Sequence, residues 1–176
     1  MKFLPAILAT LALHVPQAHA ADMEAHKQLY RTLQEVGIEV VLNDKRYCQD
    51  ENHDGSYFPF MRTLSICQDD AHHSLNGRMV PWSENDLDTL RHEAQHVVQD
   101  CNEGVLGDGE LGPMFTPEKL LEMMKASRIS REHYQALWHS YSNQPIEHRL
   151  LEMEAYMVAS DVPADYIARK LVEFCE

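Results

Sequence analysis

The chain has 176 residues, is 44% hydrophobic and carries a formal net charge of −13 at pH 7. So acidic a balance repels polyanions, which excludes nucleic acid and an anionic membrane surface as partners, while the apolar content suffices for one buried core. Its four cysteines, Cys48, Cys67, Cys101 and Cys175, allow two disulfides, and none stands at the C-x-x-C spacing of a cysteine-based zinc site.

Residues 1–20, MKFLPAILATLALHVPQAHA, read as a secretory signal peptide: one lysine, an apolar run too short to span a bilayer of about 30 Å, and a small-residue ending at Ala18-His19-Ala20. The expected product is residues 21–176, a single domain exported to a periplasm or beyond the cell, with no membrane anchor and monomeric by default. Such a compartment is oxidising and keeps disulfides. Sequence alone leaves three connectivities open. Cys48 with Cys67, across a polar loop, and Cys101 at a helix end with Cys175 at the terminus form the preferred set.

In chain order, residues 23–36 have helical apolar spacing and stop at Gly37. Residues 38–42 (IEVVL) form a short strand, QDENHDGS is a polar turn, and residues 57–67 (YFPFMRTLSIC) form a second extended segment that Pro59 consigns to a sheet edge. A loop follows, with a turn at Asn76-Gly77 and with His72-His73 read as solvated. Ser83 then caps a helix whose first turn holds Glu84, Asp86 and Asp88 and whose apolar stripe is Leu87, Leu90, Ala94, Val97 and Val98. Residues 103–113, rich in glycine, read as a flexible surface loop, and helices are expected over 117–126, 130–141, 145–159 and 164–174. Strands before Ser83 and helices after it make the fold class α+β.

The chemistry sits inside the Ser83-capped helix, in TLRHEAQHVVQDC. His92 and His96, four residues apart, stack on one face and can direct a nitrogen each at one metal ion. Glu93 lies about 100° around the axis, outside that pair but close enough to accept a proton from an activated water.

This pattern, H-E-x-x-H, resembles that of the zincin metallopeptidases. The metzincin branch is excluded because Gln99 and Asn102 stand where it has a glycine and a third histidine. An aspartate-type zincin would use Asp108, but residues 104–109 lack the rest of its pattern. The gluzincin branch takes a third ligand from a glutamate on a later helix, and PIEHRLLEMEAYMVAS offers Glu147, Glu152 and Glu154. Glu152 is preferred because it shares a face with Ala155 and Ala159, small residues that let two helices approach; Glu154, about 200° away, is the alternative. The string Glu152-Met-Glu-Ala155 is also similar to the E-x-E-A-D signature of the CAAX-protease-like gluzincins. Here Tyr156 replaces the aspartate, which leaves the outer partner of a ligand histidine unassigned. His148, one turn before Glu152, is the candidate for binding a substrate oxyanion, with Tyr141 and Tyr156 as further candidates.

The resemblance implies a small twisted sheet with one exposed edge strand above the motif helix and a mainly helical C-terminal half. It implies a bound zinc held by His92, His96 and Glu152, and a peptide substrate that adds to the edge strand, with Glu93 as general base for its hydrolysis. The alternative expectation is an exported zinc-binding or protein-binding module without hydrolytic activity.

Overall fold

In the computed structural model, which describes residues 15–48, 54–71 and 80–176, helix α1 (Val15–Glu35) ends at Gly37, whose φ of 91° suits glycine alone. The helix begins upstream of the expected position 23 and runs through Ala20. Residues 1–14 of the expected signal peptide, part of the polar turn, His72-His73 and the Asn76-Gly77 turn lie outside the described residues.

Strand β1 (Glu39–Leu42) follows where IEVVL placed it. The second extended segment is not one strand but a hairpin. Pro59 opens a single 3-10 turn, Pro59–Met61, and Arg62 closes it in the left-handed region at φ 49°. The chain therefore folds back, pairing β2 (Gly55–Phe58) antiparallel with β3 (Thr63–Ile66) from Phe58 opposite Thr63 to Gly55 opposite Ile66. Strand β3 also pairs with β1 in parallel, giving the order β1-β3-β2. Thus of the two halves of this segment only β2 lies at an edge, with β1 at the opposite one, and β3, buried at all four residues, is central.

Helix α2 (Glu84–Asn102) starts with a capping box: the Ser83 hydroxyl accepts from the Asp86 amide, and the Asp86 carboxylate accepts from the Ser83 amide. Asp86 also accepts from the Asp69 amide at 2.9 Å, so this helix end is tied to the chain leaving β3. The expected stripe is buried: Leu87, Leu90, Ala94, Val97 and Val98 are at most 4% exposed, and they pack on β3 through Leu64 and Ile66. On the other side α2 meets α5 (Ile146–Asp161) and α6 (Ala164–Cys175), and α6 packs along α1. Between them, α3 (Pro117–Ala126) and α4 (Arg131–Ser140) are capped by Thr116 and Ser130. The architecture is α+β, with a small mixed sheet and a mainly helical C-terminal half.

Both expected disulfides are present, Cys48–Cys67 and Cys101–Cys175, the second joining the last turns of α2 and α6. Among the described residues no helix is long and apolar enough to cross a membrane.

Residues 103–113 differ from the flexible loop their glycines suggested. The amides of Gly107 and Gly112 donate to Asp100 Oδ2 and Gln99 O at 2.7 and 2.9 Å, and Arg62 donates to the Leu106 carbonyl at 2.9 Å. Gly109, at φ 85°, lies directly against the Phe60 ring, leaving no room for a side chain. Buried acceptors on α2 and the β2–β3 turn therefore hold the loop against the sheet.

Candidate metal centre

One face of α2 brings His92 and His96 together, with their Nε2 atoms 3.2 Å apart. Helix α5 packs against α2, and on its Glu152 face Ala155 and Ala159 are small and buried. Its Glu152 arrives with Oε2 3.4 Å from His92 Nε2 and Oε1 3.6 Å from His96 Nε2. One donor atom from each of the three residues falls within 4.8 Å of the other two. Two ligands, each about 2.0–2.1 Å from a tetrahedral zinc, stand about 3.3 Å apart, so these separations fit such an ion. Two imidazoles and one carboxylate are also a donor set that zinc accepts readily.

Charge is concentrated here. Burial would lower the affinity of His96 for a proton, but its hydrogen bond to Glu152 and the charges of Glu93 and Glu152 outweigh this and raise its pKa to about 9. Burial likewise opposes ionisation of Glu152, and the two histidines overcome it, holding the carboxyl well below the usual range.

Glu93 is 6% exposed and reaches a cleft of about 680 Å³ walled by β2, α2, α5 and the start of α4. Among the described residues it has no hydrogen bond. Gly55 of the edge strand sits directly against it: a Cβ there would lie 2.6 Å from Thr89 Cγ2, 2.9 Å from Ser65 O and 3.2 Å from Glu93 Cγ. The absent side chain is what lets β2 lie along the motif helix.

Tyr156 also lines the cleft, its ring edge-on to His92 at 4.5 Å between centroids, with Tyr141 6.4 Å beyond. Burial, chiefly, raises both phenols above their ordinary value, so each keeps its proton. His148 is not at this site. It is exposed and does not line the cleft, because one helical turn back along α5, about 6 Å, carries it beyond the end of the wall that Glu152 forms. Glu147 and Asp108 are exposed and also outside the cleft, whereas His133, in the first turn of α4, is among the lining residues.

Glu154 does not line the cleft; it is fully buried and accepts four hydrogen bonds, from the Gln95 and Gln99 side chains at 2.8 and 3.0 Å and from the Met114 and Phe115 amides at 3.1 and 3.0 Å. Gln99 in turn places Oε1 2.7 Å from His96 Nδ1. The other histidine lacks such support: His92 Nδ1 is buried with no partner among the described residues. Behind the cleft, Arg91 donates to the Ala159 carbonyl at 2.7 Å, pairs with Asp88, and places Nη1 2.6 Å from His26 Nε2. A guanidinium only donates, so His26 accepts at Nε2 and donates its Nδ1 proton to the Asp22 carbonyl at 2.7 Å.

Sequence reasoning missed the roles of Gln99, Glu154 and Gly55. Gln99 carried one usable signal, lying three residues after His96 and hence on the same helix face.

Fold and site together define an α+β chain in which two imidazoles four apart on one helix meet a carboxylate from a later helix beside a sheet edge. The chain belongs to the family described as Domain of unknown function (DUF8637), whose model matches residues 17–176. No curated protein and no solved structure matches it significantly.

Proposed function

We propose that the protein is an exported zinc-dependent peptidase of the gluzincin type. The observation that carries this reading is the convergence of His92, His96 and Glu152 within 4.8 Å beside the buried carboxylate of Glu93, in a cleft bounded by an edge strand. His92, His96 and Glu152 would hold the ion. When bound, zinc would polarise a scissile carbonyl and lower the pKa of a coordinated water toward 7.

The remaining chemistry belongs to the chain. Edge strand β2 offers backbone groups to an extended peptide, which would lie along α2 with its reacting bond near Glu93. Glu93 would take the proton of the attacking water and return it to the departing amine; with no hydrogen-bond partner among the described residues, its carboxylate is free for that exchange. The Tyr156 ring packs against His92 and its hydroxyl keeps its proton, so it would donate to the oxygen on which negative charge develops. It takes over the part that the sequence assigned to His148. Export is supported by the two disulfides, which persist in oxidising compartments.

The test is elemental analysis and hydrolysis of an unstructured peptide mixture by wild type, Glu93→Gln and Glu152→Ala. The expected outcome is one zinc per chain in the wild type and Glu93→Gln, strongly reduced zinc in Glu152→Ala, and cleavage by the wild type alone. Equal zinc in all three would refute the centre. Zinc binding without cleavage at any pH would leave the non-hydrolytic module instead.

A further inference from the structure

The two glutamates of Glu152-Met153-Glu154 competed for a single role in the sequence, yet both contact the His-x-x-x-His helix, along neighbouring stripes of its surface. Glu152 meets the histidine Nε2 atoms. Glu154 meets the two glutamines, Gln95 and Gln99, that lie three residues after each histidine. Every one of the four bonds to Glu154 has a nitrogen donor, so this carboxylate is purely an acceptor.

That fixes the orientation of Gln99. Its Nε2 faces Glu154 Oε1 at 3.0 Å and the Leu151 carbonyl at 3.1 Å. Turning the amide over would set its oxygen against two acceptors, so the nitrogen must stay on that side. Oε1 is then the atom 2.7 Å from His96 Nδ1, and an oxygen at that distance requires a proton on Nδ1. The ring so constrained directs Nε2 toward Glu152 and His92, where that nitrogen would give up its own proton to receive the ion.

We infer that Gln99, oriented by Glu154, is the positioning residue of the metal centre, holding His96 as the Nδ1–H tautomer with Nε2 free for the ion. This rests on the zinc reading above and deepens it. The chain thereby fills with an amide from the motif helix itself the part left open when Tyr156 replaced the aspartate of the E-x-E-A-D pattern. Glu154 also holds the Met114 and Phe115 amides, so the segment entering α3 is fastened to the same carboxylate as the ligand histidine. His92, whose Nδ1 has no such partner among the described residues, is the less constrained ligand of the two.

The test compares zinc affinity, by chelator competition, in wild type, Gln99→Leu and Gln95→Leu. Losing the partner of a ligand histidine weakens metal binding by about 10–100-fold, which is the result expected for Gln99→Leu. Gln95→Leu removes an equal hydrogen bond from Glu154 but touches neither histidine, so its affinity should stay within about threefold of wild type. Thermal unfolding of each variant separates loss of fold from loss of positioning. Independently, long-range proton–nitrogen spectra of the zinc-loaded wild type should show the His96 proton on Nδ1. Wild-type affinity in a folded Gln99→Leu, or a proton on Nε2, overturns the inference while leaving the centre intact. A wild type that binds no zinc overturns the centre itself.

Discussion

Replacing Gly55 by alanine probes the contact that sets the edge strand against the motif helix. The new Cβ would stand 2.6 Å from Thr89 Cγ2 and 2.9 Å from Ser65 O. Ser65 belongs to the central strand and is fully buried, so that oxygen cannot give way. The edge strand must therefore retreat from α2 by about 1 Å to restore ordinary carbon contact near 3.5–4.0 Å. Overpacking of this kind costs about 1–3 kcal/mol, or roughly 3–9 °C in Tm for a domain of this size. On the proposed chemistry, a displacement of about 1 Å between the bound peptide and Glu93 lowers kcat/KM about 100-fold. Thr89→Ser removes Cγ2 and the closest of the clashes. In the double variant, measured against Thr89→Ser alone, the cost of Gly55→Ala should shrink by at least about 0.5 kcal/mol, the range of direct coupling. Thermal unfolding and peptide hydrolysis across the four proteins give the cycle. A Gly55→Ala protein with wild-type Tm and turnover, or strict additivity with Thr89→Ser, would refute the close approach and the positioning drawn from it.

Three further outcomes follow from the site and its supports. Tyr156→Phe keeps the ring against His92 and removes the hydroxyl, so kcat should fall about 100-fold while zinc content stays unchanged, the loss typical of one oxyanion donor; unchanged kcat would remove Tyr156 from the mechanism. Breaking Cys101–Cys175 by serine substitution frees a 74-residue loop and should cost about 4 kcal/mol in the chain-entropy account, against about 3 kcal/mol for the 19-residue Cys48–Cys67 loop; urea unfolding of the two double-serine variants should show that order, and the reverse order would contradict it. His26 is held neutral, its pKa lowered from 6.5 by burial and further by the Arg91 charge, against the opposing effect of the Asp22 carbonyl. The unfolded chain takes up a proton near pH 6.5 that the folded protein resists, so stability is full above that value and declines as pH falls below it. His26→Gln, which retains an acceptor for Arg91, should flatten this decline, measured as Tm between pH 7.5 and 5; an unaltered slope would show that the ring does not titrate as described.

Helices with local punctuation were legible. Pro117 and Ser130 mark starts that the structure reproduces, because a restricted φ and a cap act within a few residues. That Glu152, rather than Glu154, comes to the histidine pair was legible for a similar reason, since about 100° of rotation per residue separates their faces whatever packs around them. The hairpin was not. It depends on Arg62 in a left-handed conformation, for which arginine gives no sign, so Pro59 was read as an edge marker within one strand. The order of residues 103–113 was hidden because the buried acceptors that restrain it, Asp100 and Gln99 O, come from another element. Gln99 itself served only to exclude one zincin branch. Its partner depends on how α2 and α5 meet, which neither helix encodes alone.

The motif helix is clamped at both extremities, by the Ser83–Asp86 box that reaches Asp69 and by the bridge from Cys101 to Cys175. It acts as a shaft keyed in two bearings. Adding one residue between Ser83 and His92 would swing the imidazoles about 100° and advance them about 1.5 Å relative to the forward bearing. The rear bearing would refuse that rotation, and the strain would have nowhere to dissipate except in the opening turns. Spacing along this shaft is therefore a stricter requirement than the identity of most side chains mounted on it.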